Sequence, residues 1–273
     1  MLWRAIAPVG LLLVLVIVLG ASACGRPSGA TVVRRFGAAE ANQAVAVDSV
    51  HFYAIGNSAI GKYEKATGRR VSGWKDETGH ISHLNSGIVV DNELYCAHSN
   101  YPETPMVSSV EVFETDGMKH VRSIPLPQGI GSATWVDRAD GAWWVTFANY
   151  AGKGGEAGRG PEQTALVKFD PKWQRQVSWT FPPAVVSKWA GMSSSGGAWV
   201  HGRGLYTTGH DAQELYVLTL PEAGNELVLR EIIPFESNGQ GIAIDPTEGL
   251  LYSIQRRTHE VLVSRLPESR ADH

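Results

Sequence analysis

Ser86-Gly-Ile-Val-Val-Asp91 is one of five versions of a single phrase in this chain. The others are Gln43-Ala-Val-Ala-Val-Asp48, Ser132-Ala-Thr-Trp-Val-Asp137, Gly196-Gly-Ala-Trp-Val-His201 and Gln240-Gly-Ile-Ala-Ile-Asp245. Each runs from a small or polar residue through β-favouring residues to Asp or His. The second position is always Ala or Gly: Ala44, Gly87, Ala133, Gly197 and Gly241. That regularity is a packing demand, because only small side chains let backbones come close together.

Working outward, each copy is followed by an aromatic strand: Phe52-Tyr53, Leu94-Tyr95, Trp143-Trp144, Leu205-Tyr206 and Leu251-Tyr252. A third strand follows each of these, as in Val110-Glu-Val-Phe113 and Leu215-Tyr-Val-Leu218. A fourth closes four of the units, as in Val177-Ser-Trp-Thr-Phe181. The last unit lacks a fourth strand, and Thr31-Val-Val-Arg-Arg-Phe36 precedes the first unit without a partner. Pairing of 31–36 with Val261–Ser264 closes a ring and protects the sheet edges. The terminal Asp/His markers fall 43, 46, 64 and 44 residues apart, and a four-stranded blade takes about 40–50 residues. No stretch reads as a substantial helix. The pattern predicts an all-β fold, a five-bladed β-propeller of four-stranded blades over 31–268, with a short tail at 269–273.

The 43% hydrophobic content of the 273 residues suffices for one sizeable core or two small ones, and 19% charged residues fits an ordered chain. A formal net charge of −3 and the lack of any Lys/Arg run longer than two exclude nucleic acid as a partner. The N-terminus carries Arg4, an apolar run from Ala5 to Leu19 and then Gly20-Ala-Ser-Ala23 before Cys24. This reads as a signal peptide over 1–23. Two cleavages compete: an A-x-A site ending at Ala23, or a lipobox. Ala21-Ser-Ala-Cys24 resembles the end of a bacterial lipoprotein signal peptide, with Cys24 as the lipidated residue, although Ala21 stands where that motif has Leu or Val. Residues 24–30 then form a tether. The only other cysteine is Cys96, which either pairs with Cys24 or is a lone buried thiol. The protein is expected outside the cytoplasm, as a monomer, with membrane contact only through this segment.

The third-strand phrase Lys62-Tyr-Glu-Lys-Ala-Thr-Gly68, echoed by Val112-Phe-Glu-Thr-Asp-Gly117 and Lys168-Phe-Asp-Pro171, resembles the repeat of quinoprotein-like and gluconolactonase-like propellers. The resemblance implies the architecture of the mature chain. That superfamily includes enzymes, binding modules and scaffolds, so it implies no single function.

Strand alternation puts the loops before each first strand and after each second strand on one face. The opposite loops, such as Asp91-Asn-Glu93 and Asp137-Arg-Ala-Asp-Gly141, are plain turn chemistry. The first set holds the long insertions and five of the nine His: 80, 83, 98, 210 and 259. Convergent polar groups at a channel mouth are expected to form a binding site. His83, His98, His210 and Asp211 are the catalytic candidates, and the three His are candidate ligands of a divalent metal ion, the one cofactor the pattern suggests. As neighbours on a strand, His210 and Asp211 are expected to point apart. Gln43, Asn85, Asn100, Asn149, Asn238 and Gln240 are candidate polar contacts, Arg256 a candidate anion clamp, and Tyr150 and Trp189 candidate aromatic platforms.

Several motifs fail. Gly152-Lys-Gly-Gly-Glu-Ala-Gly-Arg-Gly160 lacks G-K-[ST] and a following helix, so it is no phosphate loop and reads as a lid or flexible insertion. Gly191-Met-Ser-Ser-Ser-Gly196 misses the nucleophile-elbow spacing. Glu40 and Glu103 make no persuasive glycosidase pair. The residues point to an extracytoplasmic propeller that binds a small polar molecule at the His/Asn-rich mouth, leaning to a lactonase-, lyase- or hydrolase-type enzyme. The alternatives are a non-catalytic ligand-binding propeller and a protein-interaction scaffold at the cell envelope, the last marked by an apolar patch of Met106, Pro182, Pro183 and Trp189.

Overall fold

The computed structural model describes residues 29–268. The signal segment, Cys24 and the tail at 269–273 lie outside the described residues. After β1 (Thr31–Gly37) come five antiparallel sheets. The first contains β2 (Ala44–Val47), β3 (His51–Ile55), β4 (Ala59–Glu64) and β5 (Arg70–Lys75). The second contains β6 (Leu84–Val90), β7 (Glu93–Ser99), β8 (Ser108–Glu114) and β9 (Lys119–Pro125). The third contains β10 (Ser132–Ala139), β11 (Ala142–Ala148), β12 (Ala165–Phe169) and β13 (Arg175–Thr180). The fourth contains β14 (Gly196–Val200), β15 (Gly204–Thr208), β16 (Glu214–Thr219) and β17 (Val228–Pro234). The fifth contains β18 (Ala243–Ile244), β19 (Leu251–Gln255) and β20 (Glu260–Arg265), with β1 as its fourth strand. The fold is the five-bladed propeller that the repeat predicts. Its ring closes as β1 pairs antiparallel with β20, Thr31 opposite Arg265 and Phe36 opposite Val261.

Local chemistry sets the blade turns. Asp91 and Asn92, between β6 and β7, have φ of 49° and 63°, and Asp140 and Gly141 repeat this between β10 and β11 at 50° and 72°. Two successive left-handed residues make a type I′ hairpin, whose twist matches that of the strands it joins. Asp48 does comparable work after β2: its carboxylate accepts from the Val50 and His51 amides and from the Tyr53 hydroxyl.

The hydrophobic residues form neither one core nor two, as composition alone suggests, but one seam between each pair of neighbouring blades. Phe52 and Tyr63 of the first blade pack against Tyr252, Val261 and Val263 of the fifth. Ile55 and Ile60 meet Leu94, Cys96 and Phe113 of the second. Val110 and Val112 meet Val136, Val145 and Val167, while Trp135 and Trp144 meet Leu205 and Tyr216. Tyr206 and Leu215 meet Ile242 and Leu251. A blade buries both faces, so its strands read as near-continuous apolar runs.

At the axis, a Cβ on Gly241 would collide with Ala44 of the next blade, and one on Gly197 would sit 2.5 Å from the Trp135 ring. The Gly241 amide donates to the Gln43 carbonyl at 3.0 Å, tying the fifth blade to the first. The long interval before β14 holds a one-turn helix, α1 (Pro183–Val186), and short 3-10 turns at Pro161–Gln163 and Ser187–Trp189. Among the described residues, no helix is long and apolar enough to cross a membrane.

Gly197→Ala is expected to lower unfolding free energy by about 1–3 kcal/mol, because the fully buried Trp135 cannot retreat without breaking its seam. Urea denaturation measures the loss. Removing residues up to 37 bares the β20 edge, and size-exclusion chromatography should then show self-association.

Candidate functional site

The starts of the inner strands define one mouth of the channel. Gln43 precedes β2, Asn85 and Thr134 lie near the starts of β6 and β10, and Ser195 and Gln240 precede β14 and β18. These five polar residues, one per blade, line a hollow of about 280 Å³ together with His83, Tyr101, Tyr150, Met192, His210 and Arg256. The second group comes from the loops before β6 and β14 and from those that follow the second strand of blades two to five. The volume is slightly below the range of drug-sized ligand sites and suits a smaller molecule.

The amides in this ring are oriented by the protein. Asn85 Nδ2 donates to the Ala133 carbonyl at 3.1 Å, and Gln240 Nε2 donates to the His210 carbonyl at 2.9 Å. A backbone carbonyl only accepts, so the partner fixes which end of each amide is the oxygen. Gln43 Nε2 donates to Asn57 Oδ1 at 2.6 Å. With their NH₂ groups used in this way, the three amides keep acceptor capacity for whatever occupies the hollow.

His83 is the titratable group most changed by its surroundings. Burial, then the nearby His98 and Arg256, lower its pKa from 6.5 to about 4. Its ring lies 5.0 Å from that of Tyr101, which meets Tyr150 edge-on at 5.1 Å. His83 is therefore a neutral imidazole at pH 7 with an available lone pair. His210 behaves differently. Its Nδ1 lies 2.8 Å from Asp211 Oδ2, and its Nε2 is 3.4 Å from Arg256 Nη1. Guanidinium only donates, so Nε2 is the acceptor toward Arg256, whereas Nδ1 makes no hydrogen bond despite its closeness to Asp211. This corrects the expectation that His210 and Asp211 point apart. The pair sits in an irregular bend rather than a strand, so alternation does not apply.

His98 does not share the hollow. It turns into the seam between the first two blades, where Nδ1 is 3.0 Å from Ser109 Oγ and 3.7 Å from Glu111 Oε1. Glu111 is 3% exposed and also takes hydrogen bonds from Ser109, Ser123 and His120. The strand face explains the placement: His98 and Cys96 share one side of β7, and that side packs on the first blade. Burial pushes the Cys96 thiol up, and it is a free cysteine. With His98 turned away, the three-histidine metal site does not assemble. Among the described residues, no group of three or more His, Cys, Asp or Glu could hold a metal ion.

Other candidates also serve the loops rather than the hollow. Asp211 is an exposed rim residue. Asn100 binds the backbone of its own loop at Pro105 and Val107. Asn149 is fully buried and clamps the Ile130 and Gln163 carbonyls. Asn238 donates to the Asp211 carbonyl. Trp189 is 2% exposed, packed on Phe181 and against Gly209, so it is core rather than platform. Its burial, with that of Met106, also removes the apolar patch that a scaffold would present. The Gly-rich insertion is held down: Glu156 accepts from the Met106 amide, and Gly154 lies against Tyr101.

Tyr101, Thr134, Met192 and Ser195 are the lining residues that the sequence reading passed over. The signal was available for Thr134 and Ser195, which lie within two residues of Ser132 and Gly196, the repeat positions equivalent to Gln43 and Gln240. The opposite mouth is less plain than its turns suggest, since a hollow of about 410 Å³ lies there. Its carboxylates are already engaged: Asp137 accepts from the Arg138 and Trp199 amides, and Asp245 pairs with Lys65 at 2.6 Å. Arg138 Nη1 and Trp199 Nε1 are buried there without a hydrogen-bond partner. The His/Asn-rich mouth is distinguished by a polar residue from every blade together with His83, His210 and Arg256.

No protein-family model matches the chain, and no curated protein sequence matches it. Among solved structures it is similar to the glutaminyl cyclase of Myxococcus xanthus, with a TM-score of 0.56 and 13% identity over 87% of this chain and 96% of that one. It is also similar to the hydrazine synthase of Kuenenia stuttgartiensis, with a TM-score of 0.51 and 12% identity over 83% and 84%. These are β-propeller proteins, and at such identities the likeness shows the fold alone.

The folded pKa of His83 lies below its unfolded value. Its neutral form therefore contributes stability that is complete above about pH 6.5 and is lost as pH falls through about 4. Denaturation of the His83→Gln variant should show a shallower fall in stability across that window. Equal slopes in variant and parent would mean that His83 titrates normally.

Proposed function

We propose that this propeller binds a small polar molecule in the hollow at the His/Asn-rich mouth of its channel. The observation that carries this reading is the convergence of polar groups from all five blades, three of them amides with spare acceptor capacity, on one space of about 280 Å³. The protein acts outside the cytoplasm as a monomer, a reading supported by the apolar N-terminal run and the lipobox-like Ala21-Ser-Ala-Cys24. Differential scanning fluorimetry against a library of small polar metabolites tests the binding site. Hits should raise Tm in the parent and fail to do so in Ser195→Phe, which drives a ring into the hollow. Hits that stabilise both proteins equally bind elsewhere.

A second reading, catalysis of a hydrolase, lactonase or lyase type, is favoured by His83 specifically. A neutral imidazole in a cavity beside a guanidinium is equipped to take a proton from a bound substrate. His210, close to Asp211 and in contact with Arg256, is the second proton-handling group, and Tyr101 and Tyr150 wall the site against water. Glutaminyl cyclisation, the activity named for the Myxococcus protein, belongs among the reactions assayed. With a turned-over ligand in hand, His83→Gln should lower kcat by roughly 10²–10⁴-fold while leaving ligand binding in place. Because the base form persists down to about pH 4, the acid limb of kcat/KM should fall near that value rather than near 6.5. Unchanged turnover in His83→Gln would leave ligand binding as the function.

A further inference from the structure

We propose that the ligand of this hollow is a small carboxylate with hydrogen-bond donors at its other end, its carboxylate on Arg256 and its donors on the amide ring. The inference rests on the binding reading above and specifies the chemical class. Arg256 begins the turn between β19 and β20 and leans over the mouth. Its side-chain contacts are Asn42 Oδ1 at 3.4 Å and His210 Nε2 at 3.4 Å, both at the long limit of a hydrogen bond and neither a carboxylate. Among the described residues no carboxylate lies within ion-pair distance of it, although Arg34, Arg35, Arg69, Arg70, Arg122 and Arg159 each have one.

The wall of the hollow contains no Asp or Glu, so its one permanent charge is positive. A guanidinium presents several donors in a planar fork, and a carboxylate satisfies two of them at once. Beside the guanidinium the hollow offers acceptors. Asn85 and Gln240 spend their NH₂ groups on backbone carbonyls, which leaves their side-chain oxygens as the free acceptors. A cationic donor and amide acceptors lining one small space select a molecule that carries an anionic group and hydrogen-bond donors. Hydroxy and amino acids have this pattern. The size agrees, since about 280 Å³ holds roughly nine water-sized groups.

His83 supplies an internal reporter. Arg256 and His98 are the charged or titratable groups that depress it, after burial, and Tyr101 covers its face. A bound carboxylate cancels the Arg256 field and adds a negative charge, so the His83 pKa must rise toward its ordinary value. By linkage, anion affinity must then increase as pH falls from about 6.5 toward 4.

The experiment is an NMR titration of the labelled protein with two matched pairs, lactate against lactamide and mandelate against mandelamide. Each pair differs in charge and little in shape. The acids should bind at least about tenfold more tightly than their amides, the worth of a charge-assisted pair. They should also raise the His83 midpoint by about one unit or more. Arg256→Gln should erase the difference between acid and amide, and Arg256→Lys should keep part of it. Equal affinity for acids and amides, or a preference that survives Arg256→Gln, overturns the carboxylate assignment while leaving the hollow as the binding site. Failure of both acids to move any resonance of the hollow overturns the assignment as well. The metabolite screen judges the wider reading separately, because its hits need not be anions.

Discussion

Five sheets can share one axis only if their inner strands come close together, and close approach forbids side chains of ordinary size. Gly241 against Ala44, and Gly197 against the Trp135 ring, are where this constraint is met. Everything outward follows from it. As the blades diverge from the axis, the gaps between them widen and are filled by larger residues, from Val45 to Phe52 and Tyr63, or from Val136 to Trp143 and Phe169. The core is a set of radial seams because a blade presents two apolar faces and each must meet a neighbour. One open edge would leave a seam and a strand without partners, so the N-terminal β1 completes the last sheet.

The same convergence creates the site. Where the inner strands begin, their first residues are brought within reach of one another, and the chain places Gln43, Asn85, Thr134, Ser195 and Gln240 there. The backbone carbonyls that the strands leave at this end hold two of the amides by their NH₂ groups. Loops after the second strands then roof the ring with Tyr101, Tyr150, His210 and Arg256. The arrangement removes water from His83 and brings a guanidinium near it, and both effects favour the neutral imidazole. A chemically useful group thus arises from packing, with no special residue beyond a histidine in the right loop.

The role of charge differs between the seams and the mouth. In the seam of the first two blades, Glu111 is buried but fully served by two serines and His120, with His98 close by. Such a cluster satisfies its buried carboxylate internally, while His98 Nε2 is left without a hydrogen-bond partner. At the mouth Arg256 has only Asn42 and His210 as hydrogen-bond partners, each at 3.4 Å. A polar group satisfied internally contributes to specifying the fold, whereas one left uncommitted at a cavity wall is available to a ligand.

The sequence by itself determined the architecture and the ring closure, and it separated the loops of one mouth from those of the other. Those follow from period, spacing and residue size, which are local properties repeated five times, so that each copy corroborates the others. It also led to His83, Asn85, Gln43, Gln240, His210, Tyr150 and Arg256 as residues of the mouth, because loop membership can be counted along the chain. Only the tertiary structure decided which members of those loops turn inward. His98 faces a seam because the side of β7 it shares with Cys96 packs on the first blade, and Trp189 is core because a 3-10 turn folds it under Gly209. Asn100, Asn149 and Asn238 are consumed by the backbone of their own or neighbouring loops. Tyr101 became part of the wall through an insertion with no counterpart in the other blades. Side-chain direction in an irregular loop depends on contacts with residues far away in sequence, and no pattern along the chain encodes it.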